Sequence, residues 1–117
     1  MKIFLDDCRN SFDDWIRVFT STTCIEILKA NPNKITEISL DHDLGLIKDN
    51  KEETGYDVLL WLEEQVLLGN IHFIPEKIIL HTKNPVACIK MFQSCRKIAL
   101  VCAEYNKIIN VVLCPIQ

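Results

Sequence analysis

The chain alternates between short apolar segments rich in β-branched residues and longer segments with helical periodicity. The apolar segments predict strands at residues 3–5, 15–19, 35–40, 77–80 and 108–113. The periodic segments predict helices at residues 24–30, 54–68 and 86–97, the last with an extension to 105. This alternation is typical of an α/β fold with helices on both faces of a parallel sheet. We therefore expect a three-layer sandwich around a five-stranded parallel sheet, in one domain over residues 1–117.

Polar and conformationally special residues mark the connections between these elements. The stretch from Thr20 to Thr23 offers N-cap candidates for the first helix, and Asn-Pro-Asn at 31–33 ends it. Residues 44–51 predict a polar loop that carries Gly45, and residues 71–75 a short connection. Pro85 suits the first position of the third helix.

Polar clusters follow three of the predicted strands. Asp6-Asp7 come after the first, Asp41-His42-Asp43 after the third and His81-Thr82 after the fourth. Because the carboxyl ends of parallel strands meet at one edge of a sheet, the three clusters are expected to converge on one crevice.

The acidic residues of this crevice suit a hard cation. Asp6, Asp7 and Asp41 would offer carboxylate oxygens to an ion such as Mg²⁺, which would offset their mutual repulsion and polarise a phosphoryl oxygen. Alternatively, Asp6 and Asp7 cap the next segment and Asp43 starts a turn.

Two histidines belong to the same clusters. His42 and His81 are candidate general acids or bases, since imidazole exchanges protons near neutral pH. The alternative for each is a partly buried ring that hydrogen-bonds to the backbone. His72 lies in a connection and is predicted to be incidental.

Further residues near the strand ends could contact an anion. Arg9 could bind phosphate in a bidentate manner, whereas Lys83 is better explained as a solvated charge. Thr54-Gly55 could present backbone N–H groups to an anion, but an N-cap with a tight turn is the simpler interpretation. Asp57 would lie in the first helical turn, where acidic residues suit the helix dipole.

Composition excludes several classes of protein. The net charge of −3 argues against general affinity for nucleic acid. The six cysteines form no C-x-x-C pair, and the spacing of Cys88, Cys95 and Cys102 predicts reduced core thiols on one helix face. No signal peptide or membrane span is expected, so the expected location is the cytoplasm, or the cytosol of a host cell.

The order of these residues resembles a response-regulator receiver domain. An acidic pair follows the first strand, Asp41 ends the third and Thr82 ends the fourth. In receivers such residues bind Mg²⁺, and the third-strand Asp accepts a phosphoryl group. Two features depart from that pattern: Cys114-Pro115 stands where receivers have Lys-Pro, and we do not expect the usual last helix.

The chain is more similar to a receiver-derived family, the cyclic-phosphate processing receiver domain. The matching motifs are LDDCR (5–9), SLDHDLG (39–45), TGYDVLLWL (54–62) and HTKNP (81–85). The resemblance implies a receiver-like fold and activity on a cyclic phosphate, either a cyclic nucleotide or a 2′,3′-cyclic RNA end. It implies a site that contains Asp6, Asp7, Arg9, Asp41, His42, Asp43, His81 and Asn84, with Asp57 as a further candidate.

A hydrolytic mechanism accounts for this set of residues. Asp6, Asp7 and Asp41 would hold Mg²⁺ or Mn²⁺, and Arg9, Thr82 and Asn84 would bind phosphate. His81 or His42, with Asp43, would protonate the leaving oxygen while water attacks. The alternatives are a signalling receiver phosphorylated on Asp41 and a non-catalytic module that binds a phosphorylated ligand or a protein. A haloacid-dehalogenase-like phosphatase with Asp41-x-Asp43 is disfavoured, because the chain has no room for that family's cap.

Overall fold

A computed structural model describes residues 1–7, 13–48 and 51–113, except the side chains of residues 46–48 and 51. The strands are β1 (Lys2–Leu5), β2 (Ile16–Val18), β3 (Glu37–Leu40), β4 (Asp43–Lys48), β5 (Lys51–Thr54), β6 (Lys77–Leu80) and β7 (Asn110–Leu113). The α-helices are α1 (Ser21–Ala30), α2 (Gly55–Leu67) and α3 (Pro85–Glu104), and a 3₁₀ helix spans Ile71–Phe73.

Five of the strands form one parallel sheet in the order β2-β1-β3-β6-β7. Its central register aligns Ile3 with Ile38 and Ile38 with Ile78. These are the five strands predicted from the sequence, and their order is that of a receiver. The predicted α/β, receiver-like class with a five-stranded parallel sheet is therefore confirmed, and the described residues contain three α-helices.

The three helices pack on one face of the sheet. Each leads from one parallel strand to the next in the same direction across the sheet, so right-handed crossovers place all three on one side. Burial agrees with this, because Ile3 and Ile78 are fully buried while Phe4 and Ile79 are half-buried. Residues 8–12 of the β1–β2 connection lie outside the described residues. The predicted third layer on the other face stays a prediction.

One apolar core fills the space between the helices and this face of the sheet. Inward residues of β1, β3 and β6 meet the buried residues of the helices, which include Leu28, Leu62 and Ile98. Cys95 and Cys102 are buried on α3 and Cys88 is half-buried, in agreement with their predicted place on one helix face. Cys24, Cys88, Cys95 and Cys102 are all free thiols. In the described part of the chain, no helix is long and apolar enough to cross a membrane.

The region from Asp43 to Thr54 differs from the prediction. It was expected to contain a polar loop, but β4 and β5 form an antiparallel hairpin that pairs Asp43 with Thr54 and Ile47 with Glu52. The pairing is irregular between Asp43 and Ile47. The sequence of β5, KEET, has few β-forming residues. Its strand state comes from pairing with β4 rather than from its own composition, and for this reason the sequence prediction was wrong.

The ends of other elements also shift. Helix α1 begins at Ser21, three residues before the predicted start, because the Thr20 side chain accepts a hydrogen bond from Thr23 N at 3.1 Å and caps the helix. The connection at 71–75 contains the 3₁₀ helix. Strand β7 begins at Asn110 rather than at residue 108.

Candidate functional site

The register of the sheet brings three of the predicted site residues together. Leu5, Leu40 and Leu80 lie level on neighbouring strands, so the next residue of each strand is Asp6, Asp41 or His81. The backbone continues this alignment: Asp41 N donates to Leu5 O and His81 N donates to Leu40 O, each at 3.0 Å. Convergence at the carboxyl edge of the sheet therefore holds for these three strands.

All three side chains are buried. Asp6 is fully buried, Asp41 is 7% exposed and His81 is 6% exposed. Side chains alternate along a strand, so these residues share the side of the sheet that bears Phe4 and Ser39, opposite the helices. Two carboxylates in such a place are costly to bury unless positive charge or hydrogen-bond donors compensate them.

The imidazole of His81 is held on three sides. Its Nε2 lies 3.0 Å from Asp6 Oδ2, and its Nδ1 lies 2.7 Å from Ser39 Oγ. The Phe4 ring stacks on it with centroids 4.7 Å apart and planes 11° apart. These contacts fix both the plane of the ring and its rotation in that plane.

Asp6, Asp41 and His81 form a group that could hold a metal ion. One potential ligand atom from each residue lies within 4.8 Å of the others. Two carboxylate oxygens and an imidazole nitrogen are a chemically suitable donor set for a divalent cation. The donors present therefore fit an ion at this place.

Asp7 lies apart from this group. Its Oδ2 is beside Gly45 of β4, where an added Cβ would lie 3.0 Å from that oxygen. Gly45 has a φ of 67°, a left-handed conformation that glycine adopts without strain. Asp7 is not a member of the group formed by Asp6, Asp41 and His81, and its role as a ligand stays a prediction.

His42 and Asp43 form a second pair beside the buried group. His42 Nδ1 lies 2.7 Å from Asp43 Oδ1, and His42 N donates to Asp41 Oδ1 at 2.8 Å. The side chain of His42 is 13% exposed and that of Asp43 is 56% exposed. A carboxylate thus orients the ring of His42, and within the part of the chain that the structure describes Nε2 is the nitrogen left for a ligand.

Residues after β6 build the start of α3. Asn84 N donates to Thr82 Oγ1, and Asn84 Oδ1 accepts from Ala87 N, each at 3.1 Å. Asn84 is the N-cap of α3, a role that the sequence analysis did not predict. Pro85 occupies the first turn, as predicted. Lys83 is exposed. The phosphate-binding roles of Thr82 and Asn84 stay predictions.

The start of α2 lies directly against the site. Thr54 N donates to Asp57 Oδ2 at 2.9 Å, so Asp57 stabilises the first helical turn. Gly55 N donates to His42 O at 3.2 Å. An added Cβ on Gly55 would overlap the backbone oxygen of Asp41. The simpler interpretation of Thr54-Gly55 was an N-cap with a tight turn, and Thr54 is the N-cap of α2.

Two predicted features lie outside the described residues. They are Arg9, the candidate phosphate ligand, and Cys114-Pro115, which stands where receivers have Lys-Pro. The sequence analysis also missed two residues of the site, Phe4 and Ser39. Their signal was the alternation of the strands, since a serine in the apolar stretch ISL, two positions before Asp41, has to share its face.

Comparison with known proteins assigns the family. The model of the cyclic-phosphate processing receiver domain matches residues 1–97, most of the chain and all of the site. No curated protein and no solved structure gives a significant match. The match covers β1 to β6 and part of α3, which are the elements that carry the clustered acids and histidines. The chain belongs to the cyclic-phosphate processing receiver domain family.

Proposed function

We propose that the protein is a metal-dependent phosphoesterase that acts on a cyclic phosphate, either a cyclic nucleotide or a 2′,3′-cyclic RNA end. The observation that carries the proposal is the level arrangement of Asp6, Asp41 and His81 at the carboxyl edge of the sheet. The family's association with cyclic phosphates supports the substrate class. An aspartyl-phosphate site requires no general acid, whereas opening a phosphodiester ring does.

Asp6 and Asp41 would hold the divalent ion, Mg²⁺ or Mn²⁺ in the first instance. Asp7 would join them if its side chain turned away from Gly45. When bound, the ion supplies positive charge that stabilises a phosphoryl oxygen. The burial of Asp6 and Asp41 strengthens any such interaction, because the local dielectric is low.

His42 is the better candidate for proton transfer to the leaving oxygen. Both ring nitrogens of His81 already face hydrogen-bond partners, Ser39 and Asp6. Among the described residues, His42 has a side-chain partner only at Nδ1, where Asp43 lies, and a carboxylate on one ring nitrogen orients the other toward a ligand. Asp43 is thus a positioning residue, and His81 supports Asp6.

The phosphate would lie over the carboxyl ends of β1, β3 and β6. Arg9 would contribute a bidentate contact, and Thr82 with Asn84 would add polar groups from the β6–α3 turn. Cationic donors at that place would stabilise the charge that develops on the phosphoryl oxygens.

A thermal-stability titration with product analysis tests the proposal. The wild type is titrated with Mg²⁺ and Mn²⁺, alone and with 2′,3′-cyclic or 3′,5′-cyclic nucleotides. At a hundredfold excess over Kd, a ligand stabilises the native state by about 2.7 kcal/mol. Asp41→Asn should abolish both this stabilisation and product formation. Glu76→Gln, the same change at an exposed acid beside the amino end of β6, should alter neither.

The outcomes separate the candidate functions. Metal binding with a linear nucleotide product supports the phosphoesterase. Binding of a cyclic phosphate without product supports a non-catalytic module instead. No stabilisation by any metal and no product would refute the proposal.

A receiver phosphorylated on Asp41 is the second candidate. Asp41 directly follows the central strand β3, the position of the phosphoacceptor in receivers, and its Oδ1 accepts a backbone hydrogen bond from His42. Metal-dependent stabilisation by beryllofluoride, an acyl-phosphate mimic, that is lost in Asp41→Asn would favour this function over hydrolysis.

A further inference from the structure

We infer that His81 is a nitrogen ligand of the ion and that the site therefore selects a first-row transition metal over Mg²⁺. This inference rests on the proposed function, since it names the class of ion that the site takes. It differs from the Mg²⁺ expected from receiver chemistry, where oxygen atoms supply the protein ligands.

The separation of the donors supports a shared ion. His81 Nε2 and Asp6 Oδ2 are 3.0 Å apart. Two ligands at right angles around an ion, each with a bond of about 2.1 Å, are separated by about 3.0 Å. The two atoms are hydrogen-bonded at a separation that also suits adjacent ligands of one ion, and Asp41 offers its carboxylate within the same group.

Ser39 supplies the contact that a ligating histidine needs on its other nitrogen. Metal-bound histidines nearly always donate the remaining ring N–H to a polar partner. Ser39 Oγ lies 2.7 Å from His81 Nδ1 and is buried in the sheet. A serine hydroxyl can accept from Nδ1–H when Nε2 binds an ion, and can donate to Nδ1 when Nε2–H points at Asp6. Ser39 is therefore a positioning residue that suits both states of the site.

The chemical type of the ligand atoms determines which divalent ion the site prefers. Carboxylates and water suit Mg²⁺, while imidazole favours the later divalent metals, and affinity for mixed nitrogen and oxygen sites rises from Mn²⁺ to Co²⁺. The burial of His81 behind the stacked Phe4 ring limits how far the ring can turn away to leave an all-oxygen site.

Calorimetric titration with Mg²⁺, Mn²⁺ and Co²⁺ measures the selectivity, and pulsed electron paramagnetic resonance of the Mn²⁺-loaded protein detects a bound nitrogen. We expect wild-type affinity for Co²⁺ to exceed that for Mg²⁺ by at least about tenfold, with a clear nitrogen coupling. His81→Ala should remove the coupling, and His72→Ala, at an exposed histidine, should leave it intact. Ser39→Ala should weaken Co²⁺ binding by about 10- to 100-fold and alter the coupling.

Different failures have different meanings. Tight Mn²⁺ binding without nitrogen coupling in the wild type would overturn the inference and leave the proposed function standing. A coupling that survives in His81→Ala but disappears in His42→Ala would overturn it in favour of the other histidine. Absence of binding by all three metals would overturn both the inference and the metal-dependent function. The wild-type spectrum decides the main point even if His81→Ala does not fold.

Discussion

Gly55, the first residue of α2, packs directly against the backbone carbonyl of Asp41. A Cβ at position 55 would overlap that oxygen and would also lie 3.2 Å from Met91 Cε. The methionine end could move, but the carbonyl belongs to the backbone that carries the central acid of the site. The start of α2 and the position of Asp41 are thus set together.

Gly55→Ala is expected to displace either the start of α2 or Asp41. Overpacking of this kind costs about 1–3 kcal/mol of unfolding free energy, and the displaced carboxylate should bind Mn²⁺ more weakly. Urea unfolding and calorimetry measure the two effects. Glu64→Ala, at an exposed position of the same helix, is the control and should change neither. If Gly55→Ala keeps wild-type stability and wild-type ion affinity, Gly55 does not pack closely against the Asp41 carbonyl.

The hairpin is attached to α1 through the Glu53 carboxylate. Glu53 Oε1 accepts from Ser21 Oγ at 2.7 Å, Thr22 N at 3.1 Å and Thr22 Oγ1 at 2.8 Å. These donors lie in the first turn of α1, where a negative charge also suits the helix dipole. Because the hairpin begins with Asp43, this contact helps to hold the partner of His42 in place.

Glu53→Ala should lower the unfolding free energy by about 1–3 kcal/mol, because it leaves several donors without their acceptor. It should also speed amide exchange in the hairpin more than in β1, β3 and β6. Hydrogen exchange followed by mass spectrometry measures this difference. Glu52→Ala, at the exposed neighbouring residue, is the matched control. Equal exchange rates in the two variants would show that Glu53 does not hold the hairpin.

The sequence was sufficient to predict the parallel sheet and the convergence of three polar strand ends. Ile3, Ile38 and Ile78 lie in apolar stretches whose β-branched residues favour strands, and the polar residues that follow mark the strand ends. Register could not be read from any one strand, but alignment of the three ends predicted that Asp6, Asp41 and His81 would meet.

The features that the sequence did not reveal depend on tertiary contacts. The β4–β5 hairpin contains KEET, which has little strand propensity of its own. Asp7 follows Asp6 directly, so the sequence analysis placed both carboxylates in one site. In the structure, Asp6 lies with Asp41 and His81, whereas Asp7 lies beside Gly45. Ser39 became recognisable as a partner of His81 only once β3 and β6 were paired.

Asp57 provides a test that separates helix capping from a role in the site. Its Oδ2 accepts from Thr54 N, so Asp57→Ala should cost about 1 kcal/mol of stability through the loss of the capping interaction. Asp57→Asn keeps an acceptor oxygen and should recover part of that loss. Metal affinity should be unchanged in both, as measured by calorimetry alongside urea unfolding. Loss of metal binding in a variant of normal stability would instead place Asp57 in the site.

Buried thiols should make the protein less stable at alkaline pH. Burial raises the pKa of Cys24, and also that of Cys95, from 9.0 to about 12. Between these values a thiol ionises in the unfolded chain but stays protonated in the folded one, so the unfolding free energy falls as pH rises from 9 toward 12. Each thiol contributes a slope of up to about 1.4 kcal/mol per pH unit.

Urea unfolding under reducing conditions, from about pH 8 to about pH 10.5, should show a shallower decline in Cys24→Ala than in the wild type. Cys88→Ala, at a half-buried thiol of α3, controls for the ionisation of other groups and should decline more steeply than Cys24→Ala. Identical slopes in the wild type and Cys24→Ala would mean that this thiol ionises as readily in the folded protein as in the unfolded chain.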